Sequence, residues 1–487
     1  MINNYLETQI KENFPYQPTS EQEIAIKLLA SFLTAGSADG VFILRGYAGT
    51  GKTSLVAALV RTLDRLQQKN VLLAPTGRAA KVFSAYAGHA AFTIHKKIYR
   101  QQAFSNELGN FSLSDNLSTH TLFIVDEASM ISNEGLLGAS FGTGRLLDDL
   151  VQFVYAGQGC RLLLMGDTAQ LPPVGEEQSP ALWSDALRGY GLDVTEVDLT
   201  HVVRQGLDSG ILWNATRLRQ KLQDEECWSL PKIRVTGFAD IKVLPGNELI
   251  DALEQCYSRD GMDETIVICR SNKRANIYNK GIRAQILWHE EELESGDWLM
   301  VAKNSYYWTE RLIAELKKDS QTAEQAESVP DFIANGELAV VKRVRRTREL
   351  YGFRFADVLL AFPDCQELEM EVNLLLDTLH SDAPALPKAD NDRLFYQVLE
   401  DYADIPLKRE RMKKMKADIY YNAVQVKYAY AVTCHKAQGG QWKNVFLDQG
   451  YMTDEYLTPD YFRWLYTAFT RATGTLYLVN YPLEQVE

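Results

Sequence analysis

Short apolar runs, each followed by turn residues or a helical pattern, recur through the first two hundred residues. They lie at 41–44 (VFIL), 71–74 (VLLA), 121–125 (TLFIV) and 161–165 (RLLLM). Continuous rather than alternating hydrophobicity marks a strand whose sheet is covered on both faces. The stretches between them read as helices: 24–32 is apolar at helical spacing, and 55–60 runs on without a breaker. Ser20 is the candidate N-cap of the first helix, with Glu23 completing a capping box. Strands alternating with helices up to Leu199 predict an α/β fold with a doubly wound parallel sheet, its ligand at the carboxyl ends of the strands. Buried-strand character returns at 265–269, 429–433 and 475–479, as a second α/β core would show.

The pattern changes from 296 to about 420, where β segments are short and separated. Asn335-Gly336 is a strong turn signal and predicts a hairpin joining 332–333 to 338–341. The stretch 351–361 reads as another strand or two. Residues 101–118 are polar, with isolated Phe104, Leu108, Phe111 and Leu113. They predict a small hairpin projecting from the first core, with a plain surface loop as the competing reading.

The net charge of −13 over 487 residues excludes binding to nucleic acid by overall basicity. Any such site must be a local strip. The runs 342–348 (KRVRRTR) and 408–416 (KRERMKKMK) are candidates, and a solvated helix face explains the second equally well. The six cysteines are scattered with no C-x-x-C pair, so neither a zinc site nor a disulfide framework is suggested. Residues 1–14 are polar and lack a signal-peptide pattern, and no apolar run approaches membrane-spanning length. A cytoplasmic chain with reduced thiols and no added N-terminal domain is the expectation.

The candidate chemistry centres on Gly46, Tyr47, Ala48, Gly49, Thr50, Gly51, Lys52, Thr53 and Ser54, which fit G-x-x-x-x-G-K-[ST] between a strand and a helix. Glycines there let backbone amides turn toward a phosphate at a helix start. Lys52 can reach the β- and γ-phosphates, and the Thr53 hydroxyl can ligate Mg²⁺. The strand 121–125 ends in Asp126-Glu127: the first carboxylate suits a hydrated metal ion, the second an attacking water. Gln170 follows strand 161–165 in a rigid Pro- and Gly-rich loop, where a γ-phosphate sensor could sit. Gln22 reads either as an exposed first-turn residue or as an adenine-reading amide. Thr76 and Ser271 each stand at a helix start where a phosphate could bind, and an ordinary joint is an equal reading. Thr93 and His95 are weak signals by themselves.

The order of these blocks resembles the superfamily 1 helicases, P-loop ATPases of which the RecD/Dda type is most similar. The matching blocks are Gln22, the phosphate loop, APTGRAA at 74–80, TIH at 93–95, DEASM at 126–130 and GDTAQLPPVG at 166–175. LTHVVRQ at 199–205, AVTCHKAQGGQW at 431–442 and YTAFTRA at 466–472 complete the series. The resemblance implies two RecA-like cores, residues 1–200 and 201–295 with 425–487, and an SH3-like β-barrel insertion at 296–424. It places a hairpin insertion at about 100–119 of the first core. ATP with Mg²⁺ would bind between the cores, Gln22 reading adenine and Asp126 holding the metal with Thr53. Lys52, Glu127 and Gln170 would act on the phosphates, with Arg204 and Arg471 arriving from the second core. Thr76, Thr93, His95, Ser271, Thr433, His435, Lys436 and Gln438 would line the DNA track. The implied activity is 5′-to-3′ movement on single-stranded DNA with duplex separation at junctions. The implied setting is repair, recombination or replication, alongside proteins of those processes, as a monomer.

Two departures stand out. Pif-type relatives carry a PFGG-like turn where this chain has GQGCR at 157–161, which favours the RecD/Dda branch. Gln441 replaces an acidic residue common after the glycines of the HK-x-QG block. An ATPase that grips nucleic acid without unwinding, and a motor directed to RNA, stay open as alternatives.

Overall fold

The computed structural model describes residues 2–35, 37–101, 111–135, 142–202, 208–318, 325–327, 329–330, 332–365 and 367–487. Its first sheet has six strands, in the order Ala91–Thr93, Asn70–Ala74, Leu122–Val125, Arg161–Gly166, Gly40–Gly46 and Asp193–Leu199. Every pairing is parallel. The strand Gly40–Gly46, paired on both sides, explains the unbroken apolar runs. Val41 and Ile43 pack into one core with Phe123, Leu162 and Leu164, while Phe42 and Leu44 pack on the other face with Leu55, Leu59 and Leu163. Helix Ile2–Asn13 adds Leu6 and Ile10 to that second face. Its apolar residues are too sparse to advertise a helix in the sequence.

The second core is a five-stranded parallel sheet, ordered Ala431–Thr433, Thr265–Cys269, Trp442–Asp448, Ala472–Val479 and Ile241–Leu244. Two RecA-like sheets are therefore present. Inserted within the second core, between Thr265–Cys269 and Ala431–Thr433, lies a closed barrel of Trp298–Val301, Leu338–Leu350, Phe353–Phe362, Leu368–Leu375 and Val424–Tyr428. The barrel thus keeps the chain to Tyr428 before the second core resumes.

The barrel corrects one sequence expectation. Residues 332–333 do not form a hairpin with 338–341: Ile333 bridges Ser305, and Leu338–Leu350 pairs instead with Trp298–Val301 and Phe353–Phe362. Its tight turn is Tyr351-Gly352, both at positive φ, 56° and 65°. The positive-φ pair is what a two-residue hairpin of right-twisted strands requires. Helices Lys388–Glu400 and Lys408–Lys416 close one end of the barrel, setting Leu394, Val398 and Met415 against Phe353, Phe355 and Leu375.

The base of the expected hairpin insertion exists: Tyr99–Gln101 pairs antiparallel with Phe111–Leu113. Its tip, with Phe104 and Leu108, lies outside the described residues. Phe111 packs on Tyr306 of the insertion, ring centroids 4.7 Å apart, and Tyr306 on Phe332 at 5.2 Å.

Both chain crossings between the second core and the barrel are tied to one carboxylate. Asp297, fully buried, accepts from Arg283 Nε and Nη2 at 2.8 and 2.9 Å and from the Tyr430 hydroxyl at 3.0 Å. His289 and the Glu294 amide complete its shell at 3.0 and 2.8 Å. Removing one member of a buried pair leaves the other charge uncompensated, at a cost of about 3–5 kcal/mol. Asp297→Ala is therefore expected to lower stability in urea by that amount, with fluorescence of the barrel-side Trp298 as the reporter.

Candidate active site

The phosphate loop leaves the carboxyl end of Gly40–Gly46 and enters helix Lys52–Arg65. Gly49 and Gly51 take φ of 80° and 84°. A Cβ on Gly51 would lie 2.7 Å from Gln22 Nε2. Lys52 Nζ donates to the Gly46 carbonyl and, at 3.0 Å, to that of Tyr47. Thr53 and Ser54 occupy the first turn of the helix, and Thr50 is buried.

Gln22 is buried, not exposed. Its carboxamide accepts from the Thr19 amide at 3.0 Å and donates to the Thr50 carbonyl at 2.9 Å. Thr19 Oγ1 accepts in return from the Gln22 amide at 3.3 Å. The capping box is thus Thr19 with Gln22, one residue earlier than the Ser20 frame expected from sequence. The side chain that would read adenine also holds the phosphate loop in place.

Asp126 and Glu127 follow Leu122–Val125, two strands from the phosphate loop. Burial, then the Glu127 charge, holds the Asp126 carboxyl well above its ordinary range, while Lys52 and Arg471 pull it back. Three charged groups from three elements therefore converge on it. Glu127 stands in left-handed backbone, φ 51°. Asp167, after Arg161–Gly166, is buried and its pKa is raised by that burial; Lys52 opposes the shift. Gln170 is buried nearby, its Oε1 without a hydrogen-bond partner.

The second core closes over this edge. Helix Pro459–Phe469 runs along the seam and leads to Arg471, which is 3% exposed. Arg471 Nη1 lies 4.0 Å from Glu127 Oε1, and the guanidinium is held by the carbonyls of Gly440 at 3.3 Å and Thr467 at 3.1 Å. Leu171 of the first core is bonded twice across the seam: its amide to Thr467 Oγ1 at 2.9 Å, its carbonyl to Gln438 Nε2 at 2.8 Å. Arg219 stacks over the Tyr47 ring at 4.1 Å. Arg78 donates to the Gln441 carbonyl at 3.1 Å and lies 4.0 Å over Trp442. The interdomain contact at Gln441 is thus made by its backbone. Arg204 lies outside the described residues.

Two family models match the chain: an AAA domain over 19–226 and a UvrD-like helicase C-terminal domain over 428–479. The chain thus carries an AAA domain followed by a UvrD-like helicase C-terminal domain, and it is similar to helicases of the Pif1, RecD2 and Dda kinds. It is 32% identical to the ATP-dependent RecD2 DNA helicase of Deinococcus radiodurans over 30% of its length and 18% of that protein's. It is 26% identical to the ATP-dependent DNA helicase dda of Enterobacteria phage T4, covering 52% of this chain and 54% of that one. The chain thus spans under a fifth of the first relative and about half of the second. A solved structure of Pif1 helicases on forked DNA aligns over 97% of this chain and 94% of its own, at 15% identity and TM-score 0.47.

The nucleic-acid residues implied by the family fall into distinct settings. Thr76 and Thr93 cap helices Gly77–Ala87 and Ile94–Ile98, accepting from Ala79 and Lys96 amides at 3.2 Å each. Ser271 caps Asn272–Gln285 in the same way. His95 is enclosed between first core and insertion, near Tyr99 and Phe332, and burial lowers its pKa to about 4, so it is neutral at pH 7. Gln438 belongs to the seam, as above, whereas His435 is exposed. The Lys436 ammonium is buried without a hydrogen-bond partner, in a small cleft with Asn272, Asn276, Thr433 and Lys427. Lys427 was not singled out by sequence, since one lysine in an apolar strand carries no motif. Burial, then the Lys436 charge, lowers its pKa to about 8.

The barrel reaches the first core at Glu337. A Cβ on Gly77 would lie 2.9 Å from Glu337 Oε2, so a side chain there would make the Glu337 carboxyl shift. Burial raises the Glu337 pKa to about 7; Asp364 adds to this, and the Cys365 thiol, donating at 3.2 Å, and Lys81 oppose it. The folded state therefore holds this proton more tightly than the unfolded chain. Its stabilising contribution is complete below about pH 4.5 and is lost as pH rises through about 7. Glu337→Gln is expected to match the parent in thermal melts at pH 5 and to exceed it at pH 8, by at most about 3 kcal/mol.

Proposed function

We propose that this chain is an ATP-hydrolysing DNA helicase that moves 5′ to 3′ on single-stranded DNA and separates the duplex ahead of it. The observation that carries the reading is the approach of Arg471, from one core, to Glu127 at the phosphate edge of the other, 4.0 Å apart. An arginine supplied across a seam stabilises charge on a transferring phosphoryl group, and its always-charged fork suits that role. Glu127 would orient and activate the attacking water, and Gln170, with an unused buried carbonyl oxygen, would register the last phosphate. Hydrolysis would then free Arg471 and let the cores part, so that each grips the DNA backbone in turn.

Mg²⁺ fits the residues present. A phosphate-site Mg²⁺ needs few protein ligands, and a buried carboxylate at Asp126 with the Thr53 hydroxyl meets that need. The ion would neutralise phosphate charge when bound. Grip on DNA is assigned to Thr433, His435 and Lys436, with Ser271 at the start of the helix Asn272–Gln285, and Lys427 joins them. Helix-start contacts at Thr76 and Thr93 would use backbone amides, because both hydroxyls already serve as caps. The hairpin based on Tyr99–Gln101 and Phe111–Leu113 is the candidate wedge.

DNA-stimulated ATPase activity is expected to fall at least about a hundredfold in Lys52→Ala, with the fold retained by circular dichroism. Unchanged turnover would remove the assignment of the site. Partial duplexes with a 5′ or a 3′ tail separate the readings: unwinding of the 5′-tailed substrate alone is expected. ATPase without strand displacement on either tail would leave a remodelling ATPase, and stronger stimulation by RNA would leave an RNA motor.

A further inference from the structure

A phosphate loop grips its ligand with main-chain amides. In this structure one of them is already taken. The Ala48 amide donates to the Tyr466 hydroxyl at 2.9 Å, and that hydroxyl gives its own proton to Asp167 Oδ2 at 2.5 Å. Asp167 Oδ1 accepts from the Ala169 amide at 2.9 Å, in the loop that carries Gln170. Tyr466, Asp167 and Ala169 are all buried. A single hydroxyl therefore joins the phosphate loop, the Gln170 loop and the helix Pro459–Phe469 that leads to Arg471.

The direction of these bonds is fixed by chemistry. A phenol has one proton, and here a buried carboxylate holds it, so toward Ala48 the oxygen can only accept. A phosphate oxygen is a charged and stronger acceptor for the same amide. We propose that Tyr466 is a positioning residue whose hydroxyl competes with the nucleotide's phosphates for the Ala48 amide. Nucleotide entry then exchanges a cross-core hydrogen bond for one to phosphate, and loosens the helix that aims Arg471 until the phosphates themselves engage that arginine. The inference rests on the ATPase reading above and deepens it.

The test is calorimetric titration of the full-length chain with AMP-PNP in magnesium buffer, without DNA. Tyr466→Phe keeps the ring and removes the competitor, so it should bind about three- to tenfold more tightly than wild type, the equivalent of one hydrogen bond. A merely structural role predicts weaker binding. Tyr461→Phe is the control: it strips a buried hydroxyl from the same helix, one that donates to Gln449 at 2.6 Å. It should stay within about twofold of wild type. Should Tyr466→Phe not fold, 3-fluorotyrosine at that position, a poorer acceptor and better donor, must tighten binding as well. Equal or weaker binding by the Tyr466 variant, or equal tightening in Tyr461→Phe, overturns the inference while leaving the ATPase reading intact. No binding by wild type overturns both.

Discussion

A triphosphate can be held by backbone amides only where several loops end together, and a parallel sheet supplies such an edge. Here three neighbouring strands, Leu122–Val125, Arg161–Gly166 and Gly40–Gly46, stop side by side. Their exits carry Asp126 and Glu127, Asp167 with Gln170, and the phosphate loop. The strand order, not the sequence order, puts the Asp167 loop between the other two. The second core then has one place to dock if it is to touch all three, and its helix Pro459–Phe469 occupies that place. The Leu171 backbone, bonded on both sides by second-core residues, shows how closely that helix and the Gln438 segment follow the edge.

What could be read from sequence was what short spacing encodes. A strand, a glycine loop, Lys52 and a helix form one local unit, and Asp126-Glu127 is the abrupt polar end of an apolar strand. Arg471 was another matter. A lone arginine after a helix looks like a surface cation, and only long-range packing makes it 3% exposed beside Glu127. Gln22 shows a different limit. Thr19 with Gln22 and Ser20 with Glu23 offer overlapping capping frames, and burial against Thr50 decides between them. In the barrel, Asn335-Gly336 does mark a turn, but closure of the barrel chose the partner strands, and Tyr351-Gly352 made the hairpin.

The basic runs show why charge counting misleads in an acidic chain. On Leu338–Leu350, Arg348 pairs with Asp357 on the neighbouring strand and Arg345 reaches Glu371 one strand further. Exposed pairs of this kind add little stability, yet they mute the local positive field. The less obvious cations, Lys427 and Lys436, are two lysines held close in a half-dry cleft. Two like charges in that setting favour an anion more strongly than a solvated row of arginines does.

The barrel is fastened unequally to its neighbours. On the second core it is anchored by Asp297 and both chain crossings. On the first it rests through Glu337 against Gly77, the Lys81–Asp364 pair at 2.8 Å and the rings around Phe332. A body riveted to one half of a hinge and merely resting on the other behaves as a sliding bearing. Any swing of the halves would be taken up at the resting face, so the barrel would sweep across the base of the Phe111 hairpin and convert rotation of a lobe into displacement at its rim.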